Sequence, residues 1–380
     1  MNEYDKNLEL NNKIDDLKQK IDPCLQDFSQ KKFLHTSPHH DDSMLGYFPI
    51  VQHLVFNTPS AHHFSVMTSG FNSVADEYLF QNLQSLEKII KEYQNFSFSN
   101  DKNYEIKMFL DGIAKNDQKA QEMARAIRMA RNILQVYDVS KNQEDINQEN
   151  IIKFIDQAKL DISNSSSDKV KELKGMTRDW EEEIAWGHLG IGASNINHMK
   201  LGFYSSKDEN FDLDQDIEKV VVLLEEIDPE VVTVVSEDET GHKTHIKVFK
   251  IVCQAIKRYL QRNPNKKLTV WEYRNVWSQF EPSDVNLFFP VTINDFDSLR
   301  NVFHNSYKSQ VKALFPVANN DGPFCDVMQQ IMHAQYQKIR TLIGGDYFDK
   351  HQNNRIKAAS GFCFINSSQA KQFLIKNNLN

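Results

Sequence analysis

The sequence has too few cysteines, in the wrong spacing, for the disulfide framework of a small secreted protein. It contains four of them and no CxxC pair; they are Cys24, Cys253, Cys325 and Cys363. Isolated cysteines of this kind are typical of proteins in a reducing compartment. We therefore expect reduced thiols and a cytoplasmic location.

Long apolar runs are also missing. The sequence has no stretch of about 18 consecutive apolar residues, which predicts that no helix spans a membrane. Its first residues, MNEYDKNLELNNKIDD, are polar and acidic and contain no apolar segment. We therefore expect no secretory signal.

An excess of positive charge is the third absence. The 44 Lys and Arg residues are outnumbered by 52 Asp and Glu residues, which gives a net charge of -8. This balance predicts no nucleic-acid partner. What is present is an ordinary globular composition, with 380 residues that are 40% hydrophobic. Such a chain can bury a sizeable core by itself, and it leaves a homo-oligomer open.

Strand-like and helix-like segments alternate along much of the chain. The β-branched run at 230–235 and the apolar run at 32–37 are typical of buried strands. Alternation of this kind predicts an α/β protein with a Rossmann-like, mainly parallel sheet flanked by helices. Further strands are predicted at 63–68 and 195–204, helices at 115–138, 170–190, 212–227 and 246–260, and exposed helix and loop at 139–167.

The same patterns suggest how the chain is divided. We expect an N-terminal helical arm at 1–30 and a catalytic domain at 31–263 that carries a helical insertion at about 76–167. A C-terminal extension at 264–380 is expected to pack on the same domain.

The first group of chemically active residues, Pro38 to Asp42, directly follows the strand predicted at 32–37. In open α/β sheets the carboxyl ends of the strands face the ligand crevice. His39 and Asp42 offer a nitrogen and an oxygen ligand that zinc accepts, and Asp41 is a candidate general base. The alternative for this segment alone is a charged, solvated turn.

The second group, His242 and His245, follows the strand predicted at 230–235 and opens a helix. Alone, it is equally consistent with a polar helix start. In a parallel sheet, however, both groups lie at the same edge, and His245 would complete a set of two histidines and one carboxylate. Catalytic zinc needs three protein ligands and an open position, and iron(II) accepts the same ligand types. The neighbouring pair His62-His63, at the start of a predicted strand, is expected at the surface.

Taken in order along the chain, these segments resemble the motifs of the LmbE-like and PIG-L-like zinc de-N-acetylases. Members of that family remove the acetyl group from N-acetylglucosamine units. The matching segments are His39-His40-Asp41-Asp42, Thr68-Ser69-Gly70, Arg178-x-x-Glu181, Asp228-Pro229-Glu230 and His242-x-x-His245. Other segments, among them 271–277, resemble a bacterial subgroup often fused behind a glucosamine-6-phosphate deaminase-like domain, which suggests an amino-sugar phosphate pathway.

The resemblance implies a role for each matching residue. His39, Asp42 and His245 would bind zinc, Asp41 would be the general base, and His242 would stabilise the tetrahedral intermediate or protonate the leaving amine. Arg178 would contact the substrate, and Thr68 and Arg274 are further candidates for that contact. The implied activity is zinc-dependent N-deacetylation of a small amino sugar.

The sequence departs from the family pattern at several positions. His40 replaces a proline, Lys243-Thr244 replaces Pro-Asp, and Phe71 and Ser205 stand where acidic residues are usual. These departures keep a sugar-phosphate-binding or regulatory relative open as an alternative. A zinc hydrolase of another amide or of an ester is the third reading. The aromatic residues Trp271, Tyr273, Trp277 and Phe280 are interpreted as core rather than as a sugar platform.

Overall fold

The computed structural model describes residues 3–21, 30–93, 101, 103–137, 148–163, 167–208, 211–236, 241–313 and 322–378. The chain forms two compact units. Unit 1 comprises Met1–Met67, Met199–Phe303 and Ala313–Asn380, and unit 2 comprises Thr68–His198 and His304–Lys312.

The helices and strands follow one another along the whole chain. The strands are β1 (Lys32–Ser37), β2 (Ala61–Val66), β3 (Ile196–His198), β4 (Val231–Val235), β5 (Thr269–Tyr273), β6 (Leu287–Thr292) and β7 (Ala359–Gln369). The helices are α1 (Glu3–Ile21), α2 (Asp42–Asn57), α3 (Asp76–Glu92), α4 (Asn103–Ala114), α5 (Gln118–Tyr137), α6 (Gln148–Ile162), α7 (Asp168–Gly187), α8 (Gly202–Ser205), α9 (Asp214–Ile227), α10 (Lys243–Arg262), α11 (Ile293–Ser306), α12 (Phe324–Ile343), α13 (Gly345–Asp349), α14 (Asn354–Lys357) and α15 (Ala370–Lys376). Within the described part of the chain, no helix combines the length and the apolar character needed to cross a bilayer.

Unit 1 contains strands that lie side by side in the order β2-β1-β4-β5-β7-β6. Strands β2, β1, β4 and β5 are parallel, whereas β7 is antiparallel to both of its neighbours. The predicted α/β class, with a mainly parallel sheet flanked by helices, is confirmed.

The centre of the parallel part of this sheet is formed by β1 and β4, which pair from Phe33 with Val231 to His35 with Thr233. All five residues of β4 are buried, as expected for a β-branched run covered on both faces. After β1 the chain continues to β2 on one side, and β4 pairs on the other side. A reversal of strand order like this one opens a crevice at the carboxyl ends of the two strands.

The helices α9 and α10 supply most of the apolar core on one side of unit 1. Val220, Leu224, Val252 and Ile256 are fully buried and form one cluster with Val232 of β4. Each such side chain contributes about 1.5–3 kcal/mol by leaving water. This packing fixes the start of α10, and therefore His245, relative to the central strands.

Unit 2 is mainly helical, and its core lies between α3, α5, α6 and α7. Two ion pairs of this unit are buried: Arg178 Nη1 lies 2.6 Å from Glu181 Oε2, and Arg128 pairs with Glu183. Removing one partner of such a pair leaves an uncompensated buried charge, which typically costs about 3–5 kcal/mol.

Two expectations for the secondary structure are wrong. Of the strand predicted at 195–204, only Ile196–His198 is extended, and 202–205 form the single turn α8. Within 139–167, residues 148–162 form α6, whose Ile151, Ile155 and Ala158 are buried. Their spacing of three and four residues places these apolar side chains on one face, so the segment is anchored in a core. Residues 139–147 and 164–166 lie outside the described residues.

The expectation that His62 lies at the surface is also wrong. Its side chain is buried inside β2 and stacks on Phe33, with 5.1 Å between the ring centroids. Its Nδ1 lies 3.0 Å from Nε2 of His35, and its Nε2 lies 2.8 Å from Oγ of Ser60. A buried imidazole is tolerated here because both ring nitrogens have hydrogen-bond partners.

Candidate metal centre

Three side chains from two distant segments of unit 1 converge at the carboxyl ends of β1 and β4. His39 Nδ1 lies 3.2 Å from His245 Nε2 and 3.3 Å from Asp42 Oδ2. His245 Nε2 lies 3.2 Å from the same Asp42 oxygen. The three atoms therefore form a nearly equilateral triangle.

This triangle has the size and the chemistry that a divalent cation requires. Two ligands of one zinc ion, each about 2.1 Å away at a tetrahedral angle, lie about 3.4 Å apart. Lone pairs of imidazole and carboxylate atoms repel one another at such distances unless protons or a cation lie between them. Two imidazole nitrogens and one carboxylate oxygen suit zinc or iron(II). A ring nitrogen of His242 also lies within 4.8 Å of ring nitrogens of His39 and His245.

The carboxylate of Asp42 is buried and held from several sides. Its Oδ2 accepts a hydrogen bond from the backbone N–H of His39 at 2.7 Å, and its Oδ1 accepts one from Asn275 Nδ2 at 2.7 Å. Burial by itself raises the pKa of Asp42, but His245 and His39 outweigh burial and lower that pKa overall. Asp42 therefore remains ionised at neutral pH and fixed in orientation.

Two helices begin at this centre. Asp42 is the first residue of α2, and His245 lies in the first turn of α10. The N-terminus of a helix carries a partial positive charge, which stabilises carboxylates and other anions near it. The two helices therefore favour both the ionised Asp42 and negative charge that develops on a substrate.

The two candidate proton-transfer residues lie next to the starts of the two helices. Asp41 is buried and directly precedes α2, and His242 directly precedes α10. The ring of His242 lies 5.4 Å from that of His39 and 5.3 Å from that of Trp277, measured between centroids.

The side chain of Trp277 is 38% exposed, whereas Trp271, Tyr273 and Phe280 are buried. The core interpretation holds for those three residues but is wrong for Trp277.

Comparison with known proteins found few similarities. No family model matches the chain. A curated relative, a putative glucosamine-6-phosphate deaminase-like protein from Bacteroides thetaiotaomicron, is 24% identical over 209 residues, or 53% of this chain. The match spans only 30% of that relative.

Several solved structures are similar to the whole chain, with low identity. The N,N'-diacetylchitobiose deacetylase from Pyrococcus horikoshii has a TM-score of 0.43 and 12% identity, with 94% of this chain and 90% of that chain covered. The zinc-inhibited form of a teicoplanin deacetylase has a TM-score of 0.41 and 12% identity, with 89% and 98% covered. A 4-carboxy-2-hydroxymuconate hydratase from Pseudomonas putida has a TM-score of 0.41 and 10% identity, with 89% and 95% covered. Deacetylation is also the activity of the family that the motifs resemble, but similarity this low assigns no activity to the chain.

The three predicted substrate contacts lie in different surroundings. Arg274 belongs to unit 1, where Nη1 donates to the carbonyl of Gln279 at 2.8 Å and the guanidinium lies 4.5 Å from the centroid of Phe280. Thr68 and Arg178 belong to unit 2, and both are buried. The guanidinium of Arg178 is paired with Glu181.

Asn275 is a residue of the centre that the sequence patterns did not single out. It is fully buried, it follows β5 by two residues, and its amide holds Asp42 Oδ1. The carboxyl end of β5 lies at the same edge of the sheet as those of β1 and β4. The rule that located His39 and His245 would therefore also have drawn attention to Asn275.

Proposed function

We propose that the chain is a metal-dependent hydrolase that removes the N-acetyl group from an N-acetylglucosamine-type amino sugar. The observation that carries the proposal is the triangle of His39 Nδ1, Asp42 Oδ2 and His245 Nε2, with the ring of His242 4.9 Å from that of His245. The motif resemblance supports the choice of an acetamide as the bond that is cleaved. A phosphorylated amino sugar is included in the substrate class.

In this mechanism His39, Asp42 and His245 would hold a divalent cation. Such an ion would supply Lewis acidity, which polarises a carbonyl oxygen and makes water easier to deprotonate. The Asp41 carboxylate accepts the proton of the attacking water molecule, and His242 donates a proton to the leaving nitrogen. The products are acetate and a free amino sugar.

Aromatic side chains around the centre support a sugar as the substrate. Tyr204 lies edge-on to His39, with 6.0 Å between the ring centroids, and Trp277 lies beside His242. The apolar faces of sugar rings pack well on such side chains, while their hydroxyl groups stay hydrated. Trp277, which is partly exposed, is the better placed of the two for this contact.

The function is tested by measuring acetate release from N-acetylglucosamine, its 6-phosphate and N,N'-diacetylchitobiose, with zinc or iron(II) added. We expect Asp41→Asn to lower kcat by about 10²–10⁴-fold, the range typical of a lost general base, while the bound metal is retained. The control Asp284→Asn changes an exposed carboxylate of the same unit and should leave the rate unchanged.

Other outcomes would contradict this function in different ways. If the protein binds metal but releases no acetate from any of these sugars, it is better explained as a sugar-phosphate-binding or regulatory protein. Faster hydrolysis of an O-acetyl ester or of an unrelated amide would favour a hydrolase of another class. An unchanged rate in Asp41→Asn would remove Asp41 from the mechanism.

A further inference from the structure

Unit 2 contains a cavity of about 290 Å³ that the proposed hydrolysis does not use. It is lined by α3, Phe109 of α4, α5, α7 and the segment 305–308, all of which belong to unit 2. None of the residues of the metal centre lines it. Its volume is close to the lower end of the range for small-molecule sites, about 300–1,000 Å³.

One part of the cavity wall is apolar and aromatic. Phe109, Met129, Trp180 and Ile184 contribute to it, and Trp180 and Phe109 lie edge-to-face with 5.9 Å between their centroids. A wall of this kind accommodates the ring or hydrocarbon part of a small molecule.

Another part of the wall carries positive charge that the protein does not neutralise by ion pairs. Arg125 stacks on Phe109, with 4.8 Å from Cζ to the ring centroid, and within the described residues it makes no ion pair. Lys308 is an exposed residue whose side chain lines the cavity, and it likewise makes no ion pair there. Burial lowers the pKa of Lys308, and the nearby charge of Arg125 lowers it further. Both cations line the same cavity, and their mutual repulsion favours an anion there.

The three carboxylates of the wall do not provide that anion, and the first of them, Glu92, is exposed and pairs with Lys88 of the same helix. Glu181 is bound to Arg178 Nη1 at 2.6 Å and to the N–H of Ser309 at 2.6 Å. Glu122 is exposed, and with Tyr78 and Glu181 it only partly offsets the lowering of the Arg125 pKa by burial. The neighbouring Arg128 differs from Arg125, because Glu183 already neutralises it.

Ser306 provides an independent sign of a missing ligand. Its side chain lines the cavity and is only 4% exposed, and its Oγ has no hydrogen-bond partner among the described residues. Buried hydroxyl groups nearly always have such a partner in folded proteins. A ligand oxygen in the cavity would supply one.

We propose that this cavity binds a small anionic metabolite, whose phosphate or carboxylate group contacts Arg125, Lys308 and Ser306 and whose body packs on Trp180 and Phe109. Charge-assisted hydrogen bonds from the guanidinium, the ammonium and the hydroxyl would hold the anion. The ligand is a second one, in addition to the substrate of the metal centre.

The test uses the full chain and three probes that share one ring: phenyl phosphate, benzoate and benzyl alcohol. Titration calorimetry and thermal unfolding are expected to show saturable binding of at least one anion and none of the alcohol. The stronger of the two anions identifies the ligand as a phosphate or a carboxylate. No saturable binding of either anion by about 1 mM would overturn the proposal.

Variants locate the binding. Arg125→Gln should weaken it at least tenfold, whereas Lys119→Gln, an exposed charge on the same helix that does not line the cavity, should not. The change His245→Asn at the metal centre should leave the binding intact. Equal affinity in Arg125→Gln, or loss of binding in His245→Asn alone, would contradict the assignment.

Ser306→Ala separates a binding role from a structural one. The ligand-free variant should unfold at the same temperature as the unchanged protein or at a higher one, because a buried hydroxyl without a partner is removed. Its affinity for the anion should nevertheless fall. Unchanged affinity in a folded Ser306→Ala protein would also count against the site, even if Arg125→Gln does not fold.

Discussion

The amide of Asn275 determines how Asp42 presents its carboxylate. The amide donates a hydrogen bond to Oδ1, and Oδ2 therefore faces the two imidazoles. Side chains that orient a metal ligand typically account for about 10–100-fold of metal affinity. We therefore expect Asn275→Ala to weaken zinc binding by that factor in competition with a chelating dye. The control Asn57→Ala, at the exposed end of α2, should bind zinc normally, and equal affinities in the two variants would rule out this role of Asn275.

The buried pair His35 and His62 predicts a loss of stability in acid. Burial, aided by the charge of His63, lowers the pKa of His62 to about 4. Because the folded state resists protonation, the free energy of unfolding is highest above pH 6.5. The titration of His62 therefore lowers the free energy of unfolding by about 3 kcal/mol as the pH falls from 6.5 to 4.

Urea unfolding at a series of pH values measures this decline. His62→Gln keeps hydrogen-bonding capacity but cannot titrate, so its stability should change less across that interval. His333→Gln, which alters an exposed histidine of unit 1, should show the full decline. A slope that is the same in all three proteins would contradict the prediction.

At the scale of single residues, the sequence predicted which side chains meet because each of them follows a strand. It did not predict burial that depends on contact with a distant residue. His39, Asp42 and His245 could be predicted to lie together because parallel strands end at one edge. The burial of His62 could not be predicted, because its partner His35 lies on the adjacent strand β1. Asn275 belongs to no motif with a characteristic spacing, and only its position two residues after β5 could have drawn attention to it.

Among the elements, α2 is held against β5 at a point where only glycine fits. A Cβ atom on Gly46 would lie 2.6 Å from Cδ2 of Tyr273. Tyr273 cannot easily move, because it is buried and its hydroxyl donates to the carbonyl of Thr36 at 2.9 Å. We therefore expect Gly46→Ala to lower the free energy of unfolding by about 1–3 kcal/mol, although alanine favours helices.

Urea unfolding of Gly46→Ala and of the control Gly322→Ala checks this contact. A Cβ on Gly322 would meet its nearest atom at 3.5 Å, an ordinary contact, so the control should be close to neutral. Equal stabilities of the two variants would show that the Tyr273 side chain can move to make room for the added Cβ atom.

Elements with a strong internal pattern were predictable, and short ones were not. Strand β4 has five β-branched residues, and α9 and α10 have clear helical spacing, so their existence followed from the sequence. Strand β3 has only three residues, and its conformation depends on its neighbours rather than on its own propensity. The direction of β7 was also beyond prediction, because an antiparallel strand in a mixed sheet has no sequence signature of its own.

At the scale of the whole molecule, the metal centre links β1, α2 and α10, so a bound cation should stabilise the fold. An ion present at a hundredfold excess over its Kd adds about 2.7 kcal/mol to the free energy of unfolding. Removal of metal with a chelator should therefore lower Tm, and zinc should restore it. His245→Asn should show neither effect, and a chelator-sensitive Tm in that variant would place the stabilising ion elsewhere.

The alternation of strands and helices predicted the α/β class, and the order of motifs predicted that His39, Asp42 and His245 lie together. The boundaries expected at 30/31 and 263/264, and the insertion expected at about 76–167, stay predictions. The cavity in unit 2 could not be foreseen, because Arg125, Ser306 and Lys308 are brought together only by tertiary packing.

The most direct measurement is an anomalous difference map from a zinc-soaked crystal, recorded above and below the zinc absorption edge. We predict one strong peak within coordination distance of His39 Nδ1, Asp42 Oδ2 and His245 Nε2. The absence of a peak there, with the three side chains in the same contacts as without zinc, would contradict the metal centre and the hydrolase built on it.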